Sequence, residues 1–362
     1  MGLKIRSICV LVLFGLFISF FGGCICAQNN PNTVDTVLYV NPSNGNDAND
    51  GLAPQWNGTS GPKKTIKNSV IASKNKEGNV TIKLAPGMYN ENSIFIDRSI
   101  NFEGSGAETT IIDGKKGSIF DADLPDADYK VVFKDIGIEN SYCGITIENE
   151  WDHVDIHNCS FINNYNLAKA KGGAAINNNG IVSIDNCNFE VNYSTTIGGA
   201  IFNDGKMNIK NSHFHDNRGE AGGAILSYNH SKIEINNSTF EENYSYHGEY
   251  GDGGSIFNSG LVDLKNCKFN GNSAISDGGA ICNYGSFYVF SCQFESNEGK
   301  RGGAIFSDGK YVSIDNNLFS DNYARVYGGA ICKTSPGYVG TQNKYENNTP
   351  DDVKIIENRL LK

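Results

Sequence analysis

Residues 266–283 read Asn-Cys-Lys-Phe-Asn-Gly-Asn-Ser-Ala-Ile-Ser-Asp-Gly-Gly-Ala-Ile-Cys-Asn, and this stretch holds both halves of a unit that recurs along the chain. One half has the pattern Asn-Cys/Ser-x-Phe-x-x-Asn, and the other has the pattern Gly-Gly-Ala-Ile-x-Asn/Ser. Copies and variants of the second half begin at residues 172, 198, 222, 253, 278, 302 and 328. Both markers keep a period of about 25 residues, which indicates a repeat architecture.

Each unit predicts short β-strands and no amphipathic helix. Met207-Asn208-Ile209-Lys210 alternates apolar and polar residues with the period of 2 that is typical of a strand. Turn signals such as Asn203-Asp204-Gly205 supply residues that tolerate positive φ. We infer three short strands and three bends per unit. A unit of about 25 residues suits one turn of a parallel β-helix, because a propeller blade takes about 40 residues. The predicted fold is all-β, a single-stranded right-handed parallel β-helix.

Such coils are stable only when they are stacked. Fixing about 25 residues costs ~1–2 kcal/mol each, whereas the four or five large apolar side chains of a coil return ~1.5–3 kcal/mol apiece. Stacking buries both faces of each coil and brings equivalent residues into columns. The predicted columns are the aromatic residues Phe161, Phe189, Phe214, Phe240, Phe269, Phe294, Phe319 and Tyr345, and a ladder of Asn164, Asn192, Asn217, Asn243, Asn272, Asn297, Asn322 and Asn348.

A third column should point inward beside the aromatic residues. It comprises Cys159, Cys187, Ser212, Ser238, Cys267, Cys292 and Asn317. Cysteines of adjacent coils could form disulfides by their Cα spacing, but their side chains would be poorly directed, so we favour buried free thiols.

The segment before the repeats predicts a cap. A helix from about Lys63 to Ser73, with Ile66, Val70 and Ile71 on one face, would cover the open end of the β-stack. Strands of the first coils are expected from Val80 onward. The predicted division is a signal peptide over 1–27, an N-terminal segment and cap over 28–79, the β-helix over 80–349 and a tail over 350–362.

The run from Asn44 to Gly51 is dense in carboxylate and amide oxygens, which are calcium ligands. Calcium at Asp47 and Asp50 is one interpretation. Ordinary turn chemistry is the favoured one, because no Glu stands at loop-closing spacing. No other cofactor is predicted.

The first 27 residues indicate export. Lys4 and Arg6 precede an uncharged, largely apolar run that ends near Ala27. Cleavage after Ala27, lipid modification of Cys24 and an uncleaved anchor are the alternatives, and all three place the rest of the chain outside the cytoplasm. The formal net charge of −10 argues against binding to nucleic acid or anionic membranes.

Two stretches carry a family resemblance. Leu38-Tyr39-Val40 through Gly51, and Leu84-Ala85-Pro86-Gly87-Met88-Tyr89, look like the start of pectin-lyase-like β-helix proteins. The paired repeat motifs resemble those of polymorphic outer-membrane proteins and of adhesin-like surface proteins of methanogenic archaea. Residues 350–362 are too short for the export barrel of the former, so the adhesin-like proteins are the closer match. That resemblance implies a secreted or cell-surface protein that binds extracellular glycans or proteins.

The connectors between the ladder Asn and the next Gly-Gly vary in length and carry residues that are typical of interfaces and of sugar stacking. The alternative is that each Tyr packs over its own bend. The candidate binding residues are Tyr165, Tyr193, Arg218, Tyr244, Tyr246, Tyr250, Arg301, Tyr323, Arg325 and Tyr327. We expect deletion of the longest connector, Tyr244 to Asp252, to abolish attachment with little change in melting temperature.

Enzymatic function is the competing hypothesis. A polysaccharide lyase or glycoside hydrolase of the pectin-lyase-like type would need grouped acids, for which Asp204, Asp263 and Asp308 are the first suspects. His213 and His215 could bind zinc, but their alternation about Phe214 predicts a solvated surface pair. No catalytic residue is assigned. We expect a monomer that contacts a membrane only through an N-terminal anchor. Nine Asn-x-Ser/Thr sequons occur, Asn229 among them. Several fall in the structural columns, so we attribute most of them to composition rather than to glycosylation.

Overall fold

The computed structural model describes residues 35–167, 172–247 and 252–356. These residues form a right-handed parallel β-solenoid of about 10 turns, which confirms the predicted fold class. The predicted signal peptide, residues 1–27, lies outside the described residues.

Strands of successive coils pair in parallel, and we name the sheets A to D. Within the described residues, sheet A contains Thr36–Val40, Val80–Leu84, Ile100–Glu103, Lys130–Lys134, His153–His157, Ile181–Asp185, Lys206–Lys210, Lys232–Asn236, Leu261–Lys265, Ser286–Phe290, Val312–Asp315 and Tyr338–Val339. Sheet B contains Gly87–Asn90, Thr110–Asp113, Gly137–Glu139, Ser160–Ile162, Asn188–Glu190, His213–His215, Thr239–Glu241, Lys268–Asn270, Gln293–Glu295, Leu318–Ser320 and Lys344–Glu346.

The remaining two sheets complete each coil. In the same described ranges, sheet C contains Ile94–Ile96, Ser118–Ala122, Cys143–Ile147, Ile176–Asn178, Ile201–Asn203, Ile225–Ser227, Ile256–Asn258, Ile281–Asn283, Ile305–Ser307, Ile331–Lys333 and Val353–Ile355. Sheet D contains Tyr165–Asn166, Tyr193–Ser194, Arg218–Gly219, Tyr244–Ser245, Ser273–Ala274, Glu298–Arg301 and Tyr323–Tyr327.

Sheet D corrects the expectation of three strands per coil. From Tyr165 onward each coil passes through sheets A, B, D and C, because the start of the connector after the ladder Asn is itself paired to its neighbours. The residue pattern hardly indicates this sheet, because most of its strands have only two residues and show no alternation of apolar and polar side chains. The predicted connectors are therefore partly ordered strand.

The aromatic column fills the interior. Ring centroids of Phe189 and Phe214 lie 4.6 Å apart with an interplanar angle of 3°, and the other neighbours in the column from Phe161 to Tyr345 stack similarly. This spacing is that of adjacent β-strands, so each ring packs against its equivalents in the coils above and below. The stacked-column prediction is confirmed.

The bends use residues that accept a left-handed backbone. The residue before each Cys or Ser of the acceptor column has positive φ; it is Asn at most coils, as at Asn186 (54°) and Asn266 (55°), and Ser at Ser291 (56°). A second left-handed residue precedes each ladder Asn, as at Asp216 (48°). Asn and Asp tolerate this region better than other residues with a side chain, so these bends account for part of the Asn content.

The helical cap is shorter than predicted. The helix spans Ile66–Ser73, with Thr65 as its N-cap, and packs on the first strands of sheets A and C. Ile66 and Val70 are buried as expected, but Ile71 is 54% exposed. Ser69 and Ser73 complete the buried face instead, because residues three and four apart share one side of a helix.

The predicted segment boundaries do not coincide with the ends of the sheets. Sheet A begins within the 28–79 segment, where Thr36–Val40 pairs with Val80–Leu84. Sheet C continues into the 350–362 segment, where Val353–Ile355 pairs with Ile331–Lys333.

Candidate ligand-binding face

Five of the ten candidate binding residues lie in one register on sheet D. The pairings join Tyr165, Tyr193, Arg218, Tyr244, Ser273, Glu298 and Tyr323 in order, and we call this set the sheet D file. At a strand spacing of about 4.8 Å, its seven positions extend over about 29 Å. Arg218 and Tyr323 are exposed, and the other candidates in the file are half-buried. The connectors therefore present a continuous outer face.

The inward neighbours of the file are small and buried, as at Ser194, Gly219 and Ala274. A Cβ on Gly219 would lie 2.8 Å from the backbone N of Gly199. Sheet D thus rests directly on the Gly-Gly segment, and this close approach leaves the larger residues on the outside.

Aromatic contacts dominate the first half of the file. The rings of Tyr193 and Tyr246 stack with centroids 5.8 Å apart, and the Tyr246 hydroxyl donates to the Ser194 carbonyl at 2.8 Å. Burial and the neighbouring Tyr193 raise the pKa of the Tyr246 phenol above its usual range. The Tyr165 hydroxyl bonds to Asn163 Oδ1. These rings are held in place before any ligand binds.

Charged contacts dominate the second half. Arg325 binds the Glu298 carboxylate at 2.9 Å and donates to the Ala274 carbonyl at 2.8 Å. The Arg301 side chain does not contribute to the file. Its guanidinium forms a two-point ion pair with Asp277 and lies 4.7 Å from the Phe306 ring centroid. Arg301 therefore serves the fold more than the outer face.

Two other candidates are placed differently. Tyr327 pairs with Arg301 at the edge of sheet D, with its ring 5.8 Å from the Lys354 ammonium. Tyr250 lies outside the described residues. The expectation that the Tyr244 to Asp252 connector can be removed at little cost is wrong, because Tyr244–Ser245 is a strand and Asp252 is buried and hydrogen-bonded.

A buried acidic pair was not anticipated. Asp252 and Asp277 precede Gly-Gly in adjacent repeats, and the Asp277 N–H donates to Asp252 Oδ1 at 3.0 Å. Burial raises the pKa of Asp252, whereas Asp277 is ion-paired with Arg301. The available signal was the residue before Gly-Gly, which is an acid in these two adjacent repeats and in no other repeat.

The outward position of the Gly-Gly-Ala-Ile-x motif was also missed. Phe202, Leu226 and Phe306 point away from the core but are at most 6% exposed. Ile197 and Ala221 from the connectors pack over the first two of these side chains. The connectors thus bury a second apolar row outside the coil.

The suspected catalytic acids are not brought together. Asp204 and Asp308 occupy the same turn position four coils apart, about 19 Å along the stack. Asp263 lies on the outer face of sheet A, where its carboxylate binds Lys265 at 2.9 Å. His213 and His215 stand side by side on sheet B with ring centroids 5.9 Å apart. In the described part of the chain, no three His, Cys, Asp or Glu residues form a group suited to a metal ion.

The proposed calcium loop is filled by protein groups. Asp47 Oδ1 accepts hydrogen bonds from the Lys64 and Thr65 backbones, and Asp50 accepts from Leu52 and Gly61. The Lys63 ammonium donates to the Asp47 and Asn49 carbonyls at 3.0 and 2.6 Å. The geometry favours the turn interpretation, because Lys63 occupies the place of a cation among the loop oxygens.

A family model describes part of the repeat. Residues 266–284 match the Chlamydia polymorphic membrane protein repeat. The match covers one unit. No curated protein sequence matches the chain significantly.

Solved β-helix structures resemble the fold at low sequence identity. The pectate lyase Pel9A aligns with a TM-score of 0.47 and 16% identity, covering 88% of this chain and 80% of that one. The A-module of the Azotobacter vinelandii mannuronan C-5 epimerase AlgE4 gives 0.37 and 12%, covering 80% and 90%. The catalytic domain of a GH87 alpha-1,3-glucanase gives 0.41 and 10%, covering 81% and 66%.

The family match thus supports the resemblance in repeat type. No helix of the described ranges has the length and apolar character needed to span a membrane.

Proposed function

We propose that this chain is a secreted or cell-surface binding protein of adhesin-like type, whose sheet D file contacts extracellular glycans or surface proteins. The observation that supports it is the register of Tyr165, Tyr193, Arg218 and Tyr244 on one outer face. Tyr and Arg are the residues most often found as interface anchors, and Tyr rings stack on sugars.

The rigidity of the face adds to this proposal. Because Tyr193 and Tyr246 are already stacked, and Arg325 is fixed by Glu298, little side-chain entropy remains to be lost on binding. The acidic chain suits partners other than nucleic acid. The repeat type and the export signal in residues 1–27 are consistent with a surface location.

The test compares binding of variants to a glycan array and to whole cells. Tyr193→Ala combined with Tyr244→Ala should weaken attachment at least about tenfold, since losing 1.4 kcal/mol of contact energy has that effect. The matched control is Phe95→Ala, which removes a 46% exposed ring from the outer face of sheet C. Unchanged attachment by the double variant contradicts the proposal. If the purified chain binds no cell or glycan, a purely structural envelope role is favoured instead.

Polysaccharide cleavage is the rival proposal, and it rests on the Asp252 and Asp277 pair in adjoining coils. Incubation of the chain with a polysaccharide panel and detection of products decides between the two. Turnover that is lost in Asp252→Asn would favour the enzyme.

A further inference from the structure

A cleft lies at the turns between sheets C and A, away from the sheet D file. It has a volume of about 530 Å³ and is lined by residues of four successive turns, among them Tyr284, Tyr311, Asn229, His230, Asp308 and Lys310. A volume of this size is typical of sites for small ligands.

Differences in turn length create the cleft. In each of the two middle coils, only two residues connect sheet C to sheet A, Ser259-Gly260 in one and Tyr284-Gly285 in the other. The turns on either side, 228–231 and 308–311, have four residues each. The short turns form a floor and the long turns form walls. At its glycines the floor is backbone alone, because a Cβ on Gly285 would lie 2.0 Å from the Gly260 carbonyl oxygen.

Two tyrosines stand in this cleft. Tyr284 is 43% exposed and is fixed by packing against Phe257 and Phe306, with its hydroxyl 3.4 Å from Asp252 Oδ2. Tyr311 is 69% exposed, and its carbonyl accepts from the Phe287 N–H at 2.8 Å. A ring that is anchored and still open to solvent, as that of Tyr284 is, provides contact area at low entropic cost.

We propose that this cleft binds a neutral sugar residue at the end of an oligosaccharide. Its lining combines tyrosine rings with amide, hydroxyl and carboxylate groups, which suit the apolar face and the hydroxyls of a pyranose. Asp308 and Lys310 balance each other in charge, so the cleft favours neither an anionic nor a cationic ligand.

A peptide is the less suitable occupant. Extended peptides gain affinity by pairing with an open sheet edge. The strands Leu261–Lys265 and Ser286–Phe290 beside the cleft are paired on both sides, so no edge is available.

Further rings continue from the cleft along sheet A. Tyr288 and Tyr338 are 42% and 55% exposed and share one outward column, with Ser313 between them. They lie two coils apart, about 9.6 Å, which leaves a gap one coil wide. We assign the next sugar rings of the oligosaccharide to this surface.

The experiment uses residues 28–362 produced in a bacterial host that adds no N-glycan to Asn229. Cellotetraose, laminaritetraose and mannotetraose serve as neutral probes, and tetragalacturonate and a glucosamine tetramer serve as charged ones. Binding is measured by titration calorimetry and by saturation-transfer NMR. We expect at least one neutral probe to bind, and Tyr311→Ala and Asp308→Ala each to weaken that binding about fivefold or more.

The control variant lies outside both proposed sites. Phe95→Ala, which removes an exposed ring from the outer face of sheet C, should leave binding of the neutral probe unchanged. The inference is overturned if no neutral probe binds, if only charged probes bind, or if Tyr311→Ala binds as well as the parent. Because the proposal for sheet D is tested by its own double variant, either can fail while the other stands.

Discussion

At the scale of single residues, the stack is held by side chains that satisfy the backbone of the adjacent coil. Each ladder Asn uses both ends of its amide: Asn217 Nδ2 donates to Asn243 Oδ1 at 2.9 Å and to the Phe189 carbonyl at 3.0 Å. Its Oδ1 accepts from the backbone and side chain of Asn192. A fully buried amide is tolerated because every hydrogen bond is made.

The Cys/Ser/Asn column serves the same purpose with other atoms. The Cys159 N–H donates to Cys187 Sγ at 3.4 Å, the Cys187 N–H to Ser212 Oγ at 3.2 Å, and the Cys292 N–H to Asn317 Oδ1 at 2.8 Å. The column accepts these residue types because each is small and carries an acceptor.

Removing one ladder Asn should therefore be costly. Asn217→Ala leaves the buried Asn192 N–H without its acceptor and also removes the side-chain hydrogen bonds from Asn192 and to Asn243 and the Phe189 carbonyl. An unsatisfied buried group costs about 1–3 kcal/mol. We expect the free energy of unfolding to fall by about 2 kcal/mol or more in chemical denaturation. Asn270→Ala, at an exposed Asn of sheet B, should change it by less than about 0.5 kcal/mol. Equal effects at the two sites would refute the ladder's contribution.

The thiols should be unreactive in the folded protein. All seven cysteines from Cys143 onward are buried and unpaired in the structure. Burial raises the pKa of Cys143 to about 11, whereas a hydrogen bond with Cys292 lowers the pKa of Cys267. Because burial keeps the reagent away from every one of these thiols, Cys267 included, iodoacetamide at pH 8 should leave all seven unmodified in the native chain and label them after unfolding. Lys300→Cys, at an exposed position, should add one site that reacts at once. Labelling of several native cysteines would contradict the prediction.

At the scale of the coil, the Gly-Gly pair determines how closely neighbouring units approach. A Cβ on the second Gly of the motif would lie about 2 Å from a backbone oxygen of the next coil. For a Cβ on Gly223, the distance to the Gly254 carbonyl oxygen is 2.1 Å. The motif therefore permits a backbone contact that no side chain allows, and sheet D can lie directly over it.

Gly223→Ala should destabilise the chain by about 2 kcal/mol or more, because the coils must separate to admit the methyl group. The control is Gly271→Asn, where φ is +63°, the nearest atom to a Cβ is 3.6 Å away, and equivalent coils carry Asn163, Asp216 and Asp321. That variant should keep or slightly raise the melting temperature. A tolerated Gly223→Ala would show that the coils can separate at little cost.

At the scale of the whole molecule, the balance of charge makes stability depend on pH. The chain carries a formal net charge of −10, and burial raises the pKa of several carboxyls. They are Glu91, Asp121, Glu139, Glu148 and Asp252. A carboxyl with a raised folded pKa holds its proton more tightly when folded, so its ionisation weakens the fold as pH rises.

The melting temperature should accordingly rise when the pH falls from 7.5 to 5.5. Protonation begins to favour the folded state as pH drops toward the raised pKa values, and the mutual repulsion of the acidic chain declines as well. Asp50 and Asp113 have lowered pKa values, so their protonation destabilises the fold. That loss of stability begins only at a pH below this range, where these carboxylates take up protons. Asp252→Asn should reduce the rise, because the amide oxygen still accepts from Asp277 but no proton is taken up. A melting temperature that falls over this range would contradict the prediction.

The sequence by itself determined the solenoid, since the 25-residue period fixes which residues share a column and hence the Phe stack, the Asn ladder and the acceptor column. Only the tertiary structure decided what faces outward. Sheet D, the Asp252 and Asp277 pair, the row at Phe202 and the cleft at Tyr284 each join residues about 25 or more positions apart. Interior positions can be predicted from the sequence because the same residue type recurs there in every coil. The exposed face depends on turns of unequal length and on which side chain covers which, and neither repeats along the chain.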